Sequence, residues 1–196
     1  MGINYSNDKQ KGFTVVEILV VIIVLGILLS IVLVVYPGYQ ARTRDSERKS
    51  DVSQLAAAFG AYVLQKNNYM TIGSGCGYKG NGNGWISQEP PTTDYPKSIA
   101  TCLKEAGVIS NATDFVDPSG CKGAGGSCTV PVKAYLKATC LTGGQPATYI
   151  MAYLETQPAN NAAMDALCDT GSVSDFDSNA QKWGTTYGLN YYVRAK

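Results

Sequence analysis

The sequence contains no histidine. Histidine is the commonest general base and the commonest metal ligand in proteins. Its absence excludes Ser/His and Cys/His catalytic pairs and the zinc sites that combine cysteine with histidine. No motif of paired catalytic carboxylates stands out either. We therefore expect a protein that is not an enzyme and that binds no cofactor or metal ion.

Charged residues are also scarce, at 16% of the chain, and they are balanced, with 16 Lys and Arg against 15 Asp and Glu. A dedicated nucleic-acid-binding protein usually has a basic excess or a basic stripe, so there is no strong nucleic-acid signal. The chain is rich instead in Gly (21), Tyr (13) and small polar residues. That composition is typical of a turn-rich extracellular β or α+β domain.

The longest apolar segment runs from Phe13 to Tyr36 and contains a single carboxylate, Glu17. As a helix its 24 residues would span about 36 Å, enough for a hydrocarbon core of about 30 Å. A secretory signal has a shorter apolar region that ends at small residues, which this segment does not. Lys9 and Lys11 precede the segment, and positive flanks stay in the cytoplasm. The residues alone predict a bitopic membrane protein with an external C-terminal domain.

All the cysteines lie beyond this apolar segment, and they are Cys76, Cys102, Cys121, Cys128, Cys140 and Cys168. An even number without a CxxC motif favours an exported domain with disulfides over a set of unpaired buried thiols. Fifteen pairings of six cysteines are possible. We prefer Cys76–Cys102, Cys121–Cys128 and Cys140–Cys168, because local loops need no threading.

A stripe of apolar residues at three- and four-residue steps follows Pro37 and predicts an amphipathic helix. This helix should stop at Asn67-Asn68, since Asn is a favoured left-handed cap. Residues 13–66 are thus expected to form one long helix, broken or bent near Pro37-Gly38. The residues expected on the helix side of the core are Val52, Leu55, Phe59 and Val63.

The C-terminal part predicts a small antiparallel sheet. Residues 98–106 fit a short helix ended by Gly107. Residues 133–140, 148–155 and 187–194 are rich in β-branched and aromatic residues and are bounded by Gly, Pro and Asn, which is typical of strands. We expect an α+β fold in which the long helix packs against one face of this sheet in a disulfide-stapled globular head.

Three motifs match known functional patterns only weakly. Gly75 to Gly80 satisfy the dinucleotide pattern GxGxxG, but no strand precedes them and no helix follows, so residues 73–84 are expected to be a surface loop. Asp175, Asp177 and Asn179 have the oxygen spacing of a calcium loop, but Ala180 and Thr186 stand where glycine and glutamate belong, which favours a solvated acidic turn. Asn111-Ala112-Thr113 fits the N-glycosylation acceptor, a triplet frequent by chance.

The segment Lys11-Gly12-Phe13-Thr14-Val15-Val16-Glu17, followed by the apolar run, resembles the class III signal of type IV pilins and pseudopilins. The resemblance implies that a prepilin peptidase cuts after Gly12, that Phe13 is methylated as the mature N-terminus, and that Glu17 acts in assembly. Gly26 matches a glycine that helps the assembled helix loosen. The proline that kinks many pilin helices falls three residues later here, at Pro37.

The resemblance also implies a division of the chain. Residues 1–12 would be a cleaved leader, 13–36 a transmembrane and polymerisation helix, 37–66 its amphipathic continuation, and 67–196 an extracellular head. The chain would be a single-pass cytoplasmic membrane protein as a precursor and would then polymerise with its own copies into a pilus fibre on the cell surface. Its partners would be prepilin peptidase, a pilus assembly platform and, before assembly, the bilayer.

Three functions remain open. The first is a pilus subunit for adhesion, motility or DNA uptake, and the second is a pseudopilin of a type II secretion system. The third is a membrane-anchored receptor or binding protein that never polymerises and keeps an intact N-terminus. Major and minor pilins are not distinguished by the sequence.

A segment with charges of both signs separates the apolar run from the amphipathic stripe, and it contains Arg42, Arg44, Asp45, Glu47, Arg48, Lys49 and Asp51. One interpretation is an ordinary solvated helix surface with local ion pairs, each worth a few tenths of a kcal/mol. The other is a seam between stem and head, where the charges meet neighbouring subunits of a fibre.

Overall fold

The computed structural model describes four stretches of the chain, residues 12–88, 94–124, 128–169 and 182–195. The chain divides into two compact units, Met1–Gln40 and Ala41–Lys196. Most of the expected leader, and the acidic turn considered for calcium at Asp175 and Asp177, lie outside the described residues.

Helix α1 spans Val15–Lys66, which confirms the expected long helix. It continues through Pro37, so α1 is not broken near Pro37-Gly38, and the alternative expectation of a bend there stays a prediction. A proline inside a helix removes one backbone hydrogen bond, but the turns on either side keep theirs. The helix ends where the sequence predicts, because Asn67 follows it with a φ of 48°, the left-handed conformation that commonly closes a helix.

The described part of the second unit contains a four-stranded antiparallel sheet in the order β1-β2-β3-β4. The strands are β1 (Gly84–Trp85), β2 (Leu136–Thr142), β3 (Gln145–Ala152) and β4 (Tyr191–Arg194). β2 and β3 reach further toward each other than predicted, because Gly143 and Gly144 join them in a two-residue turn with φ of 58° and 78°. Positive φ at both positions is typical of a type I′ hairpin, which matches the twist of the strands.

Three short helices lie among the described residues of this unit. α2 (Ile99–Glu105) agrees with the helix expected over 98–106, and its N-cap is the Ser98 hydroxyl. α3 (Asn161–Asp165) and α4 (Trp183–Tyr187) were not expected. Because Gly188 closes α4 with a φ of 72°, the strand predicted from residue 187 begins only at the start of β4.

One face of the sheet packs against α1, as predicted. Val52, Leu55 and Phe59 are buried there in a cluster that includes Tyr135 from just before β2. The expectation that Val63 is a core residue is wrong, since it is only partly buried. Val63 lines an open groove between the end of α1 and residues of β3 and β4.

The opposite face of the sheet is covered as well, which the sequence analysis did not anticipate. Leu136 and Met151 point into a second apolar cluster with Met164 from α3 and Trp183 from α4. The second unit therefore has three layers, with α1 and α2 on one side of the sheet and α3 and α4 on the other. Because both faces are covered, the first five residues of β2 are all buried, including its polar Lys137 and Thr139.

The glycine-rich segment 73–84 was expected to be a surface loop, but its second half is buried. Lys137 of β2 is fully buried, and its Nζ donates hydrogen bonds to the backbone oxygens of Met70 (2.7 Å) and Gly82 (2.6 Å). Burial lowers the pKa of Lys137. Gly82 has a φ of 78°, and a Cβ there would collide with the Met70 carbonyl. The hydrogen bonds of Lys137 thus hold this segment against the sheet.

Candidate functional site

The start of α1 holds the three residues that the prepilin-like motif singles out. Gly12 and Phe13 precede the helix and are exposed, and Glu17 lies in its first turn. The peptide bond between Gly12 and Phe13 is therefore outside regular structure, so a peptidase would reach it without unwinding α1. Cleavage after Gly12 and methylation of Phe13 stay predictions.

Glu17 is hydrogen-bonded to Thr14, the residue before the helix. Its Oε2 accepts from the Thr14 backbone N–H and from the Thr14 hydroxyl, both at 2.8 Å. In return, the Glu17 backbone N–H donates to the Thr14 hydroxyl oxygen at 3.2 Å. This reciprocal arrangement is a capping box, in which two helix-end N–H groups are satisfied by side chains. Sequence reasoning missed it, although the Thr-x-x-Glu spacing is its signature.

The capping box gives Glu17 partners within its own chain. Among the described residues its carboxylate accepts hydrogen bonds from Thr14 alone, both at Oε2, so its Oε1 can accept a hydrogen bond from outside the chain. The N-terminal end of a helix also carries partial positive charge, which favours a carboxylate there. The site is thus a partly satisfied acceptor at the tip of an apolar helix.

The helix that carries this site has no apolar partner within the first unit. Every large apolar side chain described from Val15 to Tyr36 is at least 49% exposed. This stretch of α1 lies in the one described helix that is long and apolar enough to cross a membrane. Such a surface needs lipid or other apolar helices around it, which fits a membrane-anchored precursor.

The cysteines form three disulfides, and none is left unpaired. The pairs are Cys76–Cys102, Cys121–Cys128 and Cys140–Cys168, the arrangement preferred from the sequence. Cys76–Cys102 ties the glycine-rich segment to α2, and Cys140–Cys168 ties β2 to the chain that follows α3.

The mixed-charge segment fits neither of its two interpretations as a whole. Arg48 is fully buried, and its guanidinium donates two hydrogen bonds to Asp117 (2.6 and 3.1 Å). A further nitrogen of the same group donates to Asp45 (3.0 Å) and to Glu155 (2.8 Å). These charged groups pair with one another inside one chain, so they are neither solvated nor available to neighbouring subunits. Only residues such as Arg42 remain on the surface.

The same cluster holds the chain that follows β3. Asp45 is buried and accepts hydrogen bonds from the backbone N–H groups of Glu155 and Thr156, both at 2.8 Å. Arg44 donates two hydrogen bonds to the Glu155 carboxylate, at 2.8 and 2.7 Å. The Glu155 carboxylate therefore accepts hydrogen bonds from both Arg44 and Arg48. We call Arg44, Asp45, Arg48, Asp117 and Glu155 the ion cluster.

Protonation in and around the ion cluster follows these contacts. Hydrogen bonds from Arg44 lower the pKa of Glu155 to about 2. Burial opposes ionisation of Asp45, but the hydrogen bonds from Thr156 and Glu155 outweigh it and lower its pKa. Burial raises the pKa of the neighbouring Asp51, although the Tyr135 hydroxyl donates to it at 2.6 Å.

The weak motifs gain no support. Gly75 to Gly80 lead into a short 3₁₀ turn, Tyr78–Gly80, without the strand and helix that a dinucleotide site requires. Within the part of the chain that the structure describes, no group of three or more Asp, Glu or Cys residues is placed to hold a metal ion. Asn111 is exposed ahead of another 3₁₀ turn, Ala112–Phe115.

Comparison with known proteins points to the N-terminal region. The family model of the prokaryotic N-terminal methylation motif matches residues 7–33. The type IV major pilin protein PilA of Myxococcus xanthus (strain DK1622) is 28% identical over 88 residues, which cover 43% of this chain and 40% of that protein. No solved structure matches the chain.

Two further relatives represent both branches of the resemblance. The type II secretion system core protein G of Escherichia coli (strain K12) is 36% identical over 70 residues, 36% of this chain and 48% of that protein. A fimbrial protein of Pseudomonas aeruginosa is 39% identical over 56 residues, 29% of this chain and 36% of that protein. The chain thus spans less than half the length of each of these relatives. With its N-terminal methylation motif and its long, exposed apolar helix, the N-terminal region of this chain is similar to that of type IV pilins and of type II secretion core proteins G.

Proposed function

We propose that this chain is the structural subunit of a type IV pilus. It is inserted as a single-pass membrane protein, cut after Gly12 by a prepilin peptidase, methylated at Phe13 and polymerised through α1 by a pilus assembly platform. The observation that carries the proposal is the apolar half of α1, whose exposed side chains need neighbours and whose tip presents Glu17. Its role is structural rather than catalytic.

Assembly follows from the chemistry of the helix tip. Cleavage creates an amine on Phe13, while Glu17 keeps one carboxylate oxygen without a described partner. An amine of one subunit and the Glu17 carboxylate of the next form a charge-assisted hydrogen bond. Either group alone would be an unpaired charge among apolar helices, so the pair penalises every register in which they fail to meet. Glu17 therefore specifies docking more than it adds stability.

The head would form the outer surface of the fibre. Its three disulfides and two apolar clusters suit a domain that remains outside the cell for a long time. Adhesion, motility and DNA uptake are the roles that such a surface would serve.

A second candidate is a pseudopilin of a type II secretion system. It is supported by the 36% identity to a core protein G of such a system, which lies between the 28% identity to the Myxococcus pilin and the 39% identity to the Pseudomonas fimbrial protein. Both candidates use the same helix and the same Glu17 chemistry. They differ in the length of the filament that forms.

Electron microscopy of producing cells tests the proposal. We expect long surface filaments that disappear when the gene is deleted and return when it is restored. Filaments sheared from the cells should contain this chain with Phe13 at its N-terminus. Secretion defects without surface filaments would support the pseudopilin. An intact Met1 in the membrane-bound protein would instead support an anchored receptor that never polymerises.

A further inference from the structure

One stripe of α1 in the first unit is aliphatic at its N-terminal end and carries two tyrosines at its C-terminal end. Ile31, Val32, Val35, Tyr36 and Tyr39 border a shallow apolar depression of about 300 Å³. The steps of three and four residues between them place them on one face of the helix. The two tyrosines, at the C-terminal end of this face, are more than half exposed.

The tyrosines stand at the boundary between two kinds of sequence. The residues before Tyr36 are almost all apolar, whereas Gln40, Arg42 and Arg44 follow Tyr39 within five residues. Tyrosine has an apolar ring and a polar hydroxyl, so it is enriched where the hydrocarbon core meets the lipid headgroups. Phospholipid headgroups are therefore the partner that fits this end of the stripe.

The position of this boundary fixes where Glu17 lies. From Glu17 to Tyr36 there are 19 steps of about 1.5 Å, or about 28 Å, close to the hydrocarbon thickness of about 30 Å. We propose that Tyr36 and Tyr39 anchor the precursor in the outer headgroup region and thereby hold Glu17 at the inner edge of the hydrocarbon. The new N-terminus at Phe13 is then made at the cytoplasmic surface.

The anchor accounts for a carboxylate within a membrane-length helix. At mid-bilayer, a carboxylate is costly because the hydrocarbon cannot solvate its charge. At the inner edge, Glu17 reaches water while Thr14 continues to cap it. The inference rests on membrane insertion alone and holds for a pilin or a pseudopilin, so it can fail while the proposed function stands.

Depth measurements on the full-length precursor test the anchor. A nitroxide label is attached at Ser30→Cys or, separately, at Val20→Cys, and the protein is placed in vesicles of phosphatidylethanolamine and phosphatidylglycerol. The relative access of oxygen and of a water-soluble nickel chelate reports the depth of each label. The test variant is Tyr36→Leu with Tyr39→Leu. The matched control, Ile31→Leu with Val35→Leu, alters the same face without removing a hydroxyl.

In the tyrosine variant, we expect the helix to slide toward the cytoplasmic side by up to one turn, about 5 Å. The label at Ser30→Cys should then sink deeper, and the label at Val20→Cys should approach the inner surface. The control, and Tyr36→Trp with Tyr39→Trp, should leave both depths unchanged. Unchanged depths in the tyrosine variant, or two labels that move deeper together, would overturn the anchor. So would loss of filaments at normal depth, which would assign the tyrosines to contacts between subunits.

Discussion

Glu17 shows how one side chain can serve two successive partners. Inside its own chain, it completes the capping box with Thr14 and helps to start α1. In a filament, its second oxygen would accept from the amine of a neighbour. The two roles use different properties of the residue, since capping needs an acceptor and pairing needs a charge. Substitutions can therefore separate them.

We expect Glu17→Gln to abolish or sharply reduce filaments while leaving membrane insertion intact. The amide oxygen can still cap the helix, but the negative charge that pairs with the amine is gone. Glu17→Ala should lose filaments as well and should also lose the cap. Filament counts by electron microscopy, normalised to subunit level and leader cleavage, provide the measurement. Wild-type numbers of filaments from Glu17→Ala cells would show that this role is wrong.

Arg48 is the residue on which the ion cluster depends. Arg48→Met would leave Asp117 and Asp45 buried without their cation, and breaking a buried pair in this way costs about 3–5 kcal/mol. The free energy of unfolding can be measured with denaturant on the full chain in detergent micelles. Arg42→Met, at an exposed position of the same helix, should change it by no more than about 0.5 kcal/mol. Equal effects of the two variants would contradict the assignment.

At the scale of elements, the ion cluster attaches α1 to the chain after β3 and to the Asp117 loop. The pKa of Glu155 is about 2 in the folded state, below its ordinary value of about 4.3. A lowered pKa means that the unfolded state binds more protons in acid. The stabilisation is therefore complete above about pH 5 and is lost as the pH falls toward 2. Asp45 acts in the same direction, whereas the raised pKa of Asp51 opposes it.

We therefore expect the second unit to lose about 2–3 kcal/mol of stability between pH 6 and pH 2.5 through Glu155. Denaturant unfolding at several pH values, with the disulfides intact, gives the slope of the unfolding free energy against pH. Glu155→Gln should be less stable at pH 6 and should show a shallower slope. Asp114→Asn, at an exposed position outside the ion cluster, should keep the wild-type slope. If Glu155→Gln left the slope of unfolding free energy against pH unchanged, Glu155 would not be the source of that slope.

The elements that the sequence predicted are those with local signals. The three- and four-residue spacing of apolar side chains marks α1, and Asn67 marks its end. The pairing of Arg48 with Asp117 could not be predicted in this way, because 69 residues separate them and nothing in either segment refers to the other. The tight turn at Gly143-Gly144 and the Thr14 capping box do have sequence signatures, so both could have been predicted from the sequence.

At the scale of the whole molecule, the proposed processing would change the charge balance. Cleavage after Gly12 would remove Asp8, Lys9 and Lys11 and would leave 14 basic and 14 acidic residues. A formally neutral subunit can stack against its copies without net repulsion. We expect the chain from sheared filaments to begin at methylated Phe13, as measured by intact mass and N-terminal fragmentation. Met1 or Gly2 at the N-terminus of that material would contradict the assembly proposal.

The ion cluster also determines how a head of this kind resists being pulled. A subunit held in a filament by its apolar helix transmits tension along α1, and Arg44, Asp45 and Arg48 lie near the first residues of the second unit. Their bonds run to Glu155 and Thr156 in one loop and to Asp117 in another. Because all of them start from the same helical turn, a pull along α1 would load them at the same time. Pulling the helix from the head would therefore require breaking the ion cluster before the apolar packing of Val52, Leu55 and Phe59 further along α1 is exposed.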